Sequence, residues 1–262
     1  MRSKFKIGYN WATTSFSLLK KQPQKWALVA LAYVLLFIVL PGFPGFPTLV
    51  KLAFILSWPI SLALIIGLFR EADYGGNATL SDIINNIKPQ MSKLLTLGGL
   101  CLLYGVLVSM VTKGDAAALE VLSGTGVTPD IIFTRTLPLL AKLLLLLAPM
   151  LMATWFAPPL IAYGHYSVIR AIKTSLAGSL QYAISLGSAW LVVTFYIMLG
   201  MVAVSVLIGL LSLLIKSPAQ VLVELIVFAC LLLATAWTLA FQYISYRDIF
   251  DPVPSGGGEI AM

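Results

Sequence analysis

Two ionisable side chains, Lys142 and Glu224, lie inside long apolar runs of the sequence, where a charge is costly unless it is paired or reaches an interface. Each stands about one to one and a half turns from the outer end of its run. Their matched depths make them a candidate intramembrane ion pair, able in principle to gate a pathway or couple it to protons. The bland alternative is that Lys142 snorkels to the outer headgroups while Glu224 sits near the same interface. Proline recurs near the middle of two of these runs, as Pro59 and Pro149. A proline removes a backbone N–H and kinks a helix, and matched interruptions are a sequence pointer to a transport site, although a structural kink is the commoner outcome.

The other reactive residue types do not form a catalytic pattern. His165 is the only histidine and has no Asp or Glu close in sequence, so a metal site or a Ser-His-Asp arrangement is not expected. A place beside Tyr163 and Tyr166 in an interfacial belt suits its polar-tipped ring. Cys101 and Cys230 are too few and too far apart for a disulfide framework or a metal knuckle. Ser109, Thr154, Ser188 and Thr235 read as hydrogen-bonding groups between helices before they read as nucleophiles. No catalytic residue, metal or cofactor is assigned.

The elements that hold these residues follow from composition. Of 262 residues 60% are hydrophobic and 10% charged, and the mean hydropathy is +0.97, far from the soluble balance of roughly 45–50% apolar and about 25% charged. Six stretches approach or exceed the roughly 20 residues that a helix needs to cross a bilayer. They run at about Trp26 to Leu40, Leu49 to Phe69, Leu94 to Val111, Leu137 to Tyr163, Leu186 to Ile215 and Val221 to Tyr243. The net charge of +7 is spread over short segments between these runs, the pattern of a topology signal and not of a nucleic-acid surface. With the N-terminus cytoplasmic, that side holds Arg2, Lys4, Lys6, Lys20, Lys21, Lys25, Arg70, Lys88, Lys93, Arg170, Lys173 and Arg247, twelve of the seventeen cations. The positive-inside rule therefore predicts both termini inside. The basic start leads to its first apolar run without a small-residue cleavage site, so no cleaved signal peptide is expected.

Spans one, three and five are each preceded by an amphipathic segment. Phe5, Tyr9, Ala12, Phe16 and Leu19 fall on one helical face, as do Leu80, Ile83, Ile84 and Ile87, and Ile169, Ile172, Leu176 and Leu180. Thr79-Leu80-Ser81-Asp82 has the form of a capping box. Pro23, Pro89 and Gly178 are the expected separators between these segments and their spans. Surface helix followed by membrane hairpin is thus a candidate threefold repeat, at spacings of very roughly 70 to 90 residues. The third segment follows Pro158-Pro159, which interrupts span four, and Gly164, which permits a turn; Val168 to Leu180 is accordingly predicted to lie flat in the inner interface. Among the connections, Pro41 to Pro47 reads as a stiff interfacial turn, Asp115 to Leu122 as a short helix, and residues 251–262 as a flexible tail after a single integral membrane domain, residues 1–250.

Several motifs together carry a resemblance: Trp11 with Phe16-Ser17-Leu18-Leu19-Lys20-Lys21-Gln22-Pro23, then Trp155-Phe156-Ala157-Pro158-Pro159-Leu160, Ala171 and Ser175, and Ser245-Tyr246-Arg247-Asp248-Ile249-Phe250. In order and spacing they cover nearly the whole chain, which resembles an uncharacterised family of proteobacterial inner-membrane proteins with about six spans. The resemblance implies a bacterial cytoplasmic membrane and carries no activity with it. More distantly, the chain is similar to bacterial membrane domains in which surface helices alternate with hairpins, including those attached to glycerophosphodiester phosphodiesterases; this sequence carries no catalytic domain of that kind.

The sequence therefore predicts an all-α, polytopic membrane helical bundle with cytoplasmic interfacial amphipathic helices. Its expected role is non-enzymatic: a scaffold or accessory subunit that meets anionic lipid headgroups or a membrane-protein partner. Arg170, Lys173, Lys88, Lys93, Lys20 and Lys21 are the candidate headgroup contacts. The alternative is a small transporter or permease with a pathway near Pro59, Pro149, Pro158 and Pro159.

Overall fold

The structure, a computed structural model, describes residues 3–43, 45–76, 78–123, 134, 136–214 and 219–250. Among them there is no β-strand, and six helical segments are long and apolar enough to cross a membrane: Pro23–Gly42, Thr48–Tyr74, Leu80–Gly114, Leu137–Ala162, Ala183–Ile208 and Val223–Phe250. The architecture is an all-α, multi-pass helical bundle, as the lengths of the apolar runs dictate.

Helix α1, Lys4–Lys21, ends at Gln22, and Pro23 takes the first position of α2, Pro23–Val34, where its missing N–H costs nothing. A π-helical turn at Leu35–Val39 then leads into α3, Leu40–Gly42. Such a wider turn relieves the clash between the ring of Pro41 and the carbonyl four residues back. Gly45, at φ +87, supplies the left-handed residue in the following turn. Helix α4 is Thr48–Tyr74, and α5 is Leu80–Ile87. The start of α5 is a reciprocal capping box: Thr79 N–H donates to Asp82 Oδ2 at 2.8 Å and Asp82 N–H to Thr79 Oγ1 at 3.3 Å. A 3-10 turn, Lys88–Gln90, contains Pro89 and joins α5 to α6, Met91–Ser123.

Helix α7 is Leu137–Trp155, α8 Ala157–Ala162, α9 Val168–Gln181, α10 Ala183–Leu214 and α11 Ala219–Phe250. Three boundaries differ from the sequence reading. The segment at Asp115 to Leu122 is no separate helix but the continuation of α6 to Ser123. Helix α9 runs through Gly178 and ends beside Tyr182; Gly178 is buried in its packing face and does not break it. Pro158 and Pro159 do not themselves form the interruption in span four, which falls at Phe156, because both prolines are accommodated in the first turn of α8. The glycine-rich connection after Ser123 and the tail from Asp251 lie outside the described residues.

The chain divides into two compact units. One takes Met1–Phe46, Ala63–Asn86 and Gln181–Met262; the other takes Pro47–Leu62 and Ile87–Leu180. In the first, α1 packs along α10 and α11, and α2 packs on α11. The buried face of α1 is Gly8, Trp11, Ala12, Ser15, Leu18 and Leu19. Phe5 and Tyr9, from the apolar stripe read off the sequence, stay exposed. The small residues on this face let helix backbones approach: a Cβ on Gly8 would collide with Ser188 Oγ and with the backbone of Ser185 and Ala189. Ser185 Oγ also donates to the Lys4 carbonyl at 2.9 Å, and Trp237 Nε1–H donates to the Ala12 carbonyl at 2.9 Å. Trp26 stacks on Phe69 with ring centres 4.0 Å apart, tying α2 to the end of α4. In the second unit, Gly98 of α6 lies against the backbone of Leu56, and α6 packs on α7 and α8.

Candidate functional site

The junction of α7, α8 and α9 is organised by one hydroxyl. In a continuous helix Phe156 N–H would donate to the carbonyl of Met152. Instead Phe156 N–H donates to Ser175 Oγ at 2.9 Å, and Ser175 Oγ donates to Met152 O at 2.8 Å. A side chain of α9 is thus inserted into the hydrogen-bond ladder of span four, one of the recognised causes of a sharp helix break. Ser179 Oγ donates to the same carbonyl at 3.1 Å. Pro158 and Pro159, having no N–H, prevent the ladder from re-forming immediately downstream. All of Ala157, Pro158, Pro159, Leu160, Ile161 and Ala162 are buried.

This seating gives α9 three faces. Ala171, Ser175, Gly178 and Ser179 are buried. Arg170 and Lys173 are exposed, with the Arg170 guanidinium 4.3 Å from the centre of the Tyr166 ring. Ile169, at 66% exposure, and Leu180, at 59%, leave an uncovered apolar edge, with Ile172 and Leu176 half-buried. Entry into α9 is made by His165, a non-glycine residue at φ 56. Gly164 is not the left-handed residue of this turn; its lack of a Cβ keeps it clear of the Leu160 carbonyl. The amide of Gln90 stands 3.0 Å from His165 Nδ1, so the imidazole is hydrogen-bonded to the turn before α6. Gln90 Oε1 is buried without a partner among the described residues.

Of the remaining candidate cations, Lys88 is exposed in the 3-10 turn before α6 and Lys93 half-buried on α6, while Lys20 and Lys21 are exposed at the end of α1. Lys142 donates to the Val111 carbonyl at 3.3 Å, a contact from α7 to α6. Glu224 is exposed on α11 in the other compact unit. The two mid-span prolines have different surroundings: Pro59 is buried in α4 and Pro149 exposed on α7, and both helices continue through them. The Tyr104 hydroxyl donates to the Leu146 carbonyl at 2.5 Å, one residue from the Leu145 carbonyl that Pro149 deprives of its amide. Of the intramembrane hydroxyls singled out in the sequence, Thr154, Ser188 and Thr235 do not bridge helices by these groups; they donate to the carbonyls of Met150, Ser185 and Leu231 in their own helices. Such back-bonding satisfies the hydroxyl without a neighbour. Among the described residues no three His, Cys, Asp or Glu side chains gather as a metal site would require.

A second constellation, in the first unit, escaped the sequence reading as a site. Arg247 Nη1 donates to Asp73 Oδ2 at 2.6 Å, and its Nε and Nη2 both reach Asp248 Oδ1, at 3.0 and 2.8 Å. Tyr243 O–H donates to Asp73 Oδ2 at 2.9 Å, and Trp11 Nε1–H to Asp248 Oδ2 at 2.9 Å. One guanidinium therefore ties the C-terminal ends of α4 and α11 together, with α1 attached through its indole. The donors and carboxylates meet one another in charge-assisted hydrogen bonds, which makes the group a clamp. The sequence signal was there in the Tyr246-Arg247-Asp248 stretch and in Trp11; what could not be read was that Asp73, 174 positions before Arg247, completes it. No protein-family model, no curated protein and no solved structure matches the chain.

Proposed function

We propose that the chain is a non-enzymatic protein of the bacterial cytoplasmic membrane, with both termini cytoplasmic, that engages anionic lipid headgroups through its basic amphipathic helices and so serves as a membrane scaffold or accessory subunit. The observation that carries this reading is the three-faced helix α9. Its small-residue face is anchored through Ser175, Arg170 and Lys173 are exposed, and Ile169 and Leu180 remain uncovered. An apolar edge flanked by cations is stable neither in water nor in hydrocarbon, whereas the headgroup boundary accommodates both. Each cation near an anionic surface contributes roughly 1 kcal/mol, so phosphatidylglycerol or cardiolipin surfaces are favoured over zwitterionic ones.

Spin labels test the placement. In phosphatidylglycerol-containing vesicles a label at Ile169 should be relaxed by lipid-dissolved oxygen, and a label at Arg170, about 100° round the helix, by a water-soluble nickel complex. Equal aqueous accessibility at the two sites would overturn the interfacial placement and the lipid-platform reading that depends on it.

A further inference from the structure

The first unit holds a pair of cavities, of about 400 and about 390 Å³, that share Phe16 in their walls. One opens between α1, α10 and α11 over Tyr196, Gly200 and Cys230; the other lies between α1, α2 and α11 over Pro23 and Trp26. Both share Phe16 and Leu233, so they are neighbouring apolar hollows on the same α1–α11 seam, and a two-chain molecule could place one chain in each. Each hollow alone is in the size range of small-molecule sites, roughly 300–1,000 Å³.

Two cations lie over aromatic rings that line these cavities. The Lys20 ammonium lies 4.8 Å from the centre of the Phe16 ring, and the Lys25 ammonium 5.1 Å from that of Trp26. Lys20 also lines the second cavity. Positive charge beside two neighbouring apolar hollows is complementary to a molecule with one anionic head and two hydrocarbon chains. Trp26 itself is 2% exposed and gives the second cavity a fixed aromatic wall, stacked on Phe69.

We propose that these paired hollows are a binding site for one anionic diacyl glycerophospholipid, with one chain in each and the phosphate at Lys20 and Lys25. The inference rests on the reading that the basic helices meet anionic lipid, but it concerns a discrete site distinct from the α9 surface. The test is native mass spectrometry of the full chain in detergent, titrated with dioleoyl phosphatidylglycerol, dioleoyl phosphatidylcholine or oleoyl lysophosphatidylglycerol. One retained phosphatidylglycerol per chain is expected, with retention falling about fivefold for each of Lys20→Ala and Lys25→Ala. A Cβ on Gly200 meets nothing within 4 Å, so Gly200→Leu should partly fill one hollow without disturbing the fold. It should weaken the diacyl adduct about tenfold while the single-chain lipid is held as before, with an unchanged melting temperature in lipid-free detergent as the folding control. Equal retention of phosphatidylglycerol and phosphatidylcholine would mean annular contact only and overturn the site. Lysine dependence without a Gly200→Leu effect would mean headgroup attraction only and also overturn it. Loss of binding in Arg170→Ala/Lys173→Ala but not in Lys20→Ala/Lys25→Ala would refute the paired-hollow site and leave the α9 platform standing; insensitivity to all four cations would remove both.

Discussion

Replacing Ser175 with alanine removes the hydroxyl that stands between Phe156 N–H and the Met152 carbonyl. Phe156 is fully buried, so its amide is left with no acceptor from α9. The carbonyl is better protected, because Ser179 Oγ remains 3.1 Å away. An unsatisfied buried donor costs about 1–3 kcal/mol. Side-chain hydrogen bonds inside membrane proteins average only about 0.6 kcal/mol and reach about 1.7 kcal/mol. Ser175 makes two such bonds, one of them leaving an orphan amide, so Ser175→Ala should cost about 1.5–2.5 kcal/mol. Ser179→Ala removes one of two donors to a single carbonyl and should cost about 0.5 kcal/mol. Both changes delete one oxygen from a buried position on the same helix, so the contrast isolates the inserted hydroxyl from general packing. Reversible unfolding in mixed micelles titrated with a denaturing detergent measures the difference, and protease access at the turn around Gly164 reports whether α9 has loosened. Equal costs for the two alanines would refute the insertion as the feature that holds α9 against the broken span.

Three further outcomes follow from other contacts. Gly8→Ala should destabilise the protein by about 1–3 kcal/mol, because the added methyl meets the backbone of α10. Gly187→Ala on that same α10 has open space and should be neutral or stabilising by up to about 1 kcal/mol, so similar melting shifts would contradict the α1–α10 contact. In the clamp, Arg247→Met leaves two carboxylates without their cation, and Asp73→Asn removes one of them. The side chains of Arg247 and Asp73 are 18% and 19% exposed, so the pair is neither fully screened nor fully desolvated. A double-mutant cycle should return a coupling of about 0.5–2 kcal/mol, and strict additivity would mean that the ion pair is incidental. For topology, reporters fused after Lys25, near Gly76 and after Phe250 should all be active only on the cytoplasmic side; a periplasmic C-terminus would overturn the proposed orientation.

By itself the sequence determined the six spans, since about 20 apolar residues in a row have no other stable solution in a helical membrane chain. It also determined the local stops: Pro23 opens α2, Pro89 falls in a 3-10 turn, and Thr79 and Asp82 cap α5. These are legible because each depends on a backbone N–H or a side chain within a few residues. Which face of an amphipathic helix meets protein was decided only by the tertiary structure. Of the stripes that hydrophobicity marked, Ala12 and Leu19 are buried while Phe5, Tyr9, Ile169 and Leu180 are exposed; the buried faces add Gly8, Trp11, Ser15 and Leu18 in α1 and Ala171, Ser175 and Gly178 in α9. In a bilayer, apolar side chains gain little from exchanging lipid for protein, so close backbone approach and hydrogen bonds select the contact face. The same holds for Ser175 in the ladder of span four, for Gln90 on His165 and for Asp73 on Arg247. Each needs two groups far apart in the chain to arrive at hydrogen-bond distance, and short-range patterns of residue type do not specify that meeting.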